Sequence, residues 1–180
     1  MKRSLTFSLL LLLSSTICRG EIEKIAIPSQ DGLNLLWWPK VNPPPGFVFD
    51  QAVSHQTAVK MFIPIGCTFS NAETVIYAKA AFKPGIPDVK TLQALIENDV
   101  VAFRQRDPNL IVQSGPAIKD GDAKQAIVFT FAPSGSGNWE SVAYSEEGEF
   151  YLLFTLSSRS KKGYEASLPL FTTMIASYHK

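Results

Sequence analysis

The stretch Trp139–Leu156, WESVAYSEEGEFYLLFTL, decides the fold. From Phe150 onward its apolar side chains alternate, so Phe150, Leu152, Phe154 and Leu156 share one face of an extended strand. Trp139–Tyr144 reads as a second strand, and Glu146-Glu147-Gly148 between them has the composition of a hairpin connection. Strands joined this closely run antiparallel. The stretch predicts the heart of a meander.

The same punctuation continues outward in both directions. Ala123–Phe131 alternates with Ile127, Phe129 and Phe131 to one side, between the turn residues Lys119–Asp122 and the Pro133–Asn138 link. Leu110–Val112 is a weaker strand signal. Glu73–Phe82 puts Ile76, Ala78, Ala80 and Phe82 on one face and Val75, Tyr77 and Lys79 on a half-exposed other face. Thr57–Ile63 reads as a strand stopped by Pro64 and Gly66, after the stiff turn Pro43–Gly46. Lys24–Ile27 and Leu33–Trp38 read as a hairpin across Ser29-Gln30-Asp31-Gly32.

Two segments break this period. Leu92, Leu95, Ile96, Val100 and Phe103 fall at helical spacing, with Asp88 or Thr91 as the cap and Pro108 as the stop. Tyr164, Leu168, Phe171, Ile175 and Tyr178 form a second apolar stripe after Ser160. Pro169 implies that this helix begins near it or bends there. Helices apolar on one side and strands with one strong apolar face pack economically as layers. The expected class is α+β: an antiparallel sheet of about six strands sandwiched by α-helices.

Composition narrows the function classes. The chain has 180 residues, 46% hydrophobic and 18% charged, with a formal charge of +1. These figures exclude disordered, collagen-like, coiled-coil and polytopic membrane chains, and the charge argues against a nucleic-acid binder. Lys2 and Arg3 followed by the apolar run Leu5–Leu13 read as a secretory leader, too short for a permanent span. Cleavage after Gly20 is expected, leaving residues 21–180 as a single domain that is periplasmic or secreted from a bacterium, with no integral membrane segment. That portion carries 14 basic against 16 acidic side chains. Ile17 ahead of Cys18 argues against lipid attachment there. Cys67 is then the one remaining cysteine, so no internal disulfide is expected.

The order of elements carries a resemblance. It begins with Pro45-Gly46-Phe47 to Asp50, followed by the Pro64–Gly66 turn and Thr74-Val75-Ile76-Tyr77. A helix ending in Phe103-Arg104, an Asp120-Gly121 hairpin, the strand Phe150–Ser158 and a closing helix with Phe171 and Ser177-Tyr178 complete it. Over most of residues 31–180 this resembles the PsbP-like fold family, and within it small exported bacterial proteins with no assigned activity. The resemblance implies an antiparallel sheet between helices and a family that works mostly by binding other proteins. It supplies no ligand residue, and a shared fold does not set function.

Catalytic chemistry finds little support. Two histidines, His55 and His179, and one cysteine cannot build a structural zinc site, and no phosphate loop is present. Pro133-Ser134-Gly135-Ser136-Gly137 joins two strands, unlike a nucleophile elbow. Cys67 and His55 flank one strand and should sit well apart, with Asp50 as the third member of that arrangement. Glu146, Glu147 and Glu149 read as a solvated turn. No catalytic residue, metal or cofactor is therefore expected.

The aromatic residues are more suggestive. Adjacent Trp37 and Trp38 must leave their strand on opposite faces, so one enters the core and the other seeks a cover. With Phe47 they are the expected binding residues, an adhesive patch. The expected function is a non-enzymatic exported protein that binds another protein or an envelope component. The alternatives are an exported hydrolase using Cys67 or a carboxylate pair, and an immunity or chaperone factor for a secreted toxin.

Overall fold

The computed structural model describes residues 22–29 and 32–179. The expected leader and its cleavage point lie outside the described residues. Phe150–Ser158 (β10) is apolar on both faces, which suits it only to the middle of a sheet; every residue from Tyr151 to Ser158 is buried. It pairs antiparallel along its whole length with Thr74–Phe82 (β5) and with Trp139–Glu147 (β9). Lys60–Pro64 (β4) and Phe47–Phe49 (β3) extend the sheet beyond β5. Gln125–Ala132 (β8) and Ile111–Ser114 (β6) extend it beyond β9, and Ile118–Lys119 (β7) also pairs with β8. Ile22–Ser29 (β1) and Gly32–Pro39 (β2) form a separate two-stranded hairpin.

The α+β class is as read, but the main sheet has eight strands where about six are expected. The surplus is β3 and β7, three and two residues long, too short for alternation to register. A second correction concerns Thr57–Ile63. Its strand starts only at Lys60, and Gln51–Thr57 is a helix (α1). Asp50 caps it by accepting from the Val53 N–H at 3.0 Å, and Ala58, at φ 60°, turns the chain out of it.

Alternation along β5, β9 and β10 divides the core in two. Ile76, Ala78, Leu152, Phe154 and Leu156 face Lys161–Ala176 (α3), whose Tyr164, Phe171, Met174 and Ile175 cover them. Ser160 caps α3, so the helix does not begin at Pro169, which stays inside it on an exposed face. Val142, Tyr144, Tyr151 and Leu153 face Leu92–Arg106 (α2), capped by Thr91. Phe103 of α2 stacks on Phe131 of β8 at 4.1 Å. Helix α2 thus sits toward the β8–β9 side, and the same face of β5 and β10 farther along the strands is left without a helix.

Candidate functional site: a polar cleft at Glu140

The expected binding residues do not form one exposed patch. Trp38 is 2% exposed and Phe47 9%, so both belong to the core. Trp38 packs its ring 6.0 Å from both Phe49 and His55. Trp37 leaves the other face, half-buried, with its ring 5.6 Å from Phe82, 5.1 Å from Phe150 and 5.0 Å from Lys24 Nζ. The opposite exits follow from strand geometry, but each indole finds its cover inside the chain. The exposed apolar groups are their neighbours, Leu33, Leu35, Val48 and Phe49.

Cys67 sits half-buried in the turn after β4, its N–H donating to the Pro64 carbonyl, whereas His55 lies on α1 against Trp38. Strand β4 stands between them. The acids of the β9–β10 hairpin are engaged, Glu146 by Lys83 at 3.0 Å and Glu147 by the Tyr178 hydroxyl. Among the described residues, no group of three His, Cys, Asp or Glu could hold a metal ion.

The site lies instead on the part of the sheet that α2 leaves bare. Strand register sets Tyr77 opposite Thr155, and Ser157 opposite both Val75 and Glu140. All five point to the α2 side, and four of them, Tyr77, Glu140, Thr155 and Ser157, are polar. Above it is a cleft of about 350 Å³, bordered by Met61, Phe69 and Val75 and by Tyr77, Asn138, Glu140, Ser157 and Arg159. A smaller hollow of about 160 Å³ continues under α2, where Glu140 and Tyr77 meet Asp99, Arg106 and Thr155. Cleft volume and mixed lining suit a small group with an apolar body and a polar end.

The electrostatics centre on Glu140. Burial pushes its carboxyl up from the ordinary range, while hydrogen bonds from Ser157 and Asn138 and the charge of Arg106 pull it back. Ser157 Oγ donates to Glu140 Oε1 at 2.8 Å, and Asn138 Nδ2 donates to Ser157 Oγ at 3.0 Å. Among the described residues, no Lys, Arg or His nitrogen forms an ion pair with this carboxylate within 4.0 Å. Asp99 is raised by burial too, against a 3.1 Å hydrogen bond from the Tyr144 hydroxyl. Tyr77 is raised by burial and then by the nearby Glu140 charge; Tyr144 is raised by burial and then by Asp99. Two arginines border these hollows. Arg159 donates to the Ser70 carbonyl at 2.8 Å, and the Arg106 guanidinium lies 5.3 Å from the Phe103 ring.

Sequence reading missed this site, although one signal was present. Glu140 stands on the same face of its strand as Val142 and Tyr144, an acid where alternation calls for an apolar residue.

No family model matches the sequence, and no curated protein matches it. Among solved structures, the chain is similar to the solution structure of cyanobacterial PsbP (CyanoP) from Synechocystis sp. PCC 6803. The TM-score is 0.45 and the identity 12%, over 91% of this chain and 95% of that one. That protein is a PsbP, the family whose element order the sequence resembles. At this level of overlap the likeness gives the present chain no ligand, residue role or partner.

Proposed function

We propose that this is an exported, non-enzymatic binding protein that seats a positively charged group of another protein or an envelope component in the Glu140 cleft. One observation carries the reading: a half-buried carboxylate, held by a hydroxyl and, among the described residues, without an ion-pair partner within 4.0 Å. Removing an acid from water costs free energy unless a counter-charge is supplied, and an incoming ammonium or guanidinium would supply it. Met61, Phe69 and Val75 offer an apolar shelf for the alkyl stem behind such a head. Export rests on the leader read at residues 2–20. Among the described residues, no helix is long and apolar enough to cross a membrane.

Calorimetric titration with n-butylamine, n-butanol and butyrate tests the reading. The amine should bind and the other two should not, and Glu140→Gln should weaken the amine at least tenfold, or about 1.4 kcal/mol. Binding of butyrate in preference to the amine would contradict it.

A hydrolase on a carboxylate pair has one observation in its favour: Asp99 and Glu140 border the same hollow with Arg106 beside them. Both acids, however, are engaged by hydroxyls within the fold, Asp99 by Tyr144 and Glu140 by Ser157. Binding accounts for the arrangement with fewer parts.

A further inference from the structure

The geometry points to a second interaction surface beyond the Glu140 reading: the edge of β5 at Lys79–Phe82, where an extended segment of a partner protein adds as a strand.

Strand β5 is nine residues long and pairs with β10 over all nine. On its other side β4 pairs only with Ile76, Tyr77 and Ala78. The cause is local. Ala58 adopts a left-handed conformation and carries the chain into α1, so β4 ends at Lys60. Had β4 kept its register, position 58 would face Ala80 and position 56 would face Phe82.

Hydrogen-bond direction shows which groups this leaves open. The N–H of Arg159 donates to Glu73 O at 2.8 Å and that of Lys83 to Glu149 O at 2.9 Å, so the odd-numbered positions bond toward β10. Antiparallel alternation then turns the N–H and C=O of Ala80 and the N–H of Phe82 to the side where, among the described residues, no strand pairs with them. The spacing is that of a ladder awaiting its other half.

Strand β2 lies beside this edge, but its ladder is with β1, from Ile22–Pro39 to Ser29–Gly32. Between β2 and the edge runs a groove of about 650 Å³, walled by Leu35, Leu36 and Trp37 on one side and Ile86 on the other. Lys24 and Lys79 stand at its lips, and no acid lines it. Ala80 is buried, so an incoming strand must part β2 from the edge. That step gives up the Trp37 packing on Phe82 and Phe150, but among the described residues no ladder holds β2 to the edge. Strand addition draws affinity from main-chain bonds and specificity from alternate side-chain pockets. The occupant is accordingly an extended segment, apolar at alternate positions, with carboxylates flanking it to meet the two lysines.

Amide hydrogen exchange followed by NMR tests this, with the blocked peptide EVTVTVTE as probe. In the free protein the Ala80 and Phe82 amides should exchange at least tenfold faster than those of Lys79 and Ala81. The peptide should slow both to their neighbours' rates, whereas its form N-methylated at alternate residues should not, and a Lys-flanked form should bind more weakly. Glu140→Gln should leave all of this unchanged, which separates the two sites. Equal protection in the free protein, no effect of the peptide, binding indifferent to N-methylation, or self-association of the chain through this edge would each overturn the proposal.

Discussion

Ser157 and Glu140 face each other across the β9–β10 ladder, and the serine hydroxyl donates to the carboxylate at 2.8 Å. A neutral hydroxyl is an incomplete answer to a half-buried charge, because it returns only part of the lost hydration. The fold therefore holds Glu140 at a cost, and a positively charged ligand is the natural relief.

That cost should appear in stability against pH. Burial raises the Glu140 carboxyl in the folded state above its unfolded value, so folding favours the protonated form. The associated stability is present below the unfolded value, near pH ~4.3, and is lost as pH rises through the folded one. Glu140→Gln carries no charge at any pH. Its urea midpoint should exceed the parent's at pH 8 and match it at pH 4.

The α1 turn is held by one buried hydroxyl. Ser54 Oγ donates to the Asp50 carbonyl at 2.6 Å and accepts from the Met61 N–H at 2.9 Å. Ser54→Ala leaves that buried N–H unpaired and should cost ~1–3 kcal/mol in urea unfolding. Asp50→Ala, which removes the cap, should cost ~1 kcal/mol. Since both act on one turn, the double variant should lose less than the two added together.

Trp38 should separate packing from hydrogen bonding. Its ring is buried between Phe49 and His55, yet among the described residues its Nε1 has no hydrogen-bond partner. Trp38→Ala should lose ~3–5 kcal/mol from the vacated volume. Trp38→Phe keeps an aromatic body and discards the unpaired donor, so its urea midpoint should fall far less.

The C-cap of α2 offers a prediction with the opposite pH sign. Ser134 lowers the Asp107 carboxyl through its N–H at 2.8 Å and its hydroxyl at 2.7 Å. A lowered acid contributes stability that is present above its unfolded value and lost as pH falls through the folded one. Ser134→Gly removes the hydroxyl and keeps the N–H, so it should lower the urea midpoint modestly at pH 7 and converge on the parent as pH falls through the folded value.

Much of this architecture could be read from alternation and punctuation. Phe150–Leu156 announces the central strand because both its faces are apolar, and Thr91 and Ser160 announce helices because capping is a local act. The three residues of β3 and the seven of α1 span fewer than two full periods, too few for a pattern to register, so only tertiary pairing reveals them. The site was harder for a different reason. Glu140, Tyr77 and Ser157 are far apart in the chain and meet only through the register of three strands. The cover found over Trp37, Trp38 and Phe47 was illegible for the same reason: which face a strand residue takes is local, but what covers that face is not.

The central claim is that Glu140 is a half-buried acid poised for a cation. Carbon-13 NMR of its side-chain carboxyl, titrated with and without n-butylamine, measures this directly. The account predicts a titration midpoint above the ordinary glutamate range in the free protein, falling when the amine is present. A midpoint in the ordinary range that the amine does not move would contradict it.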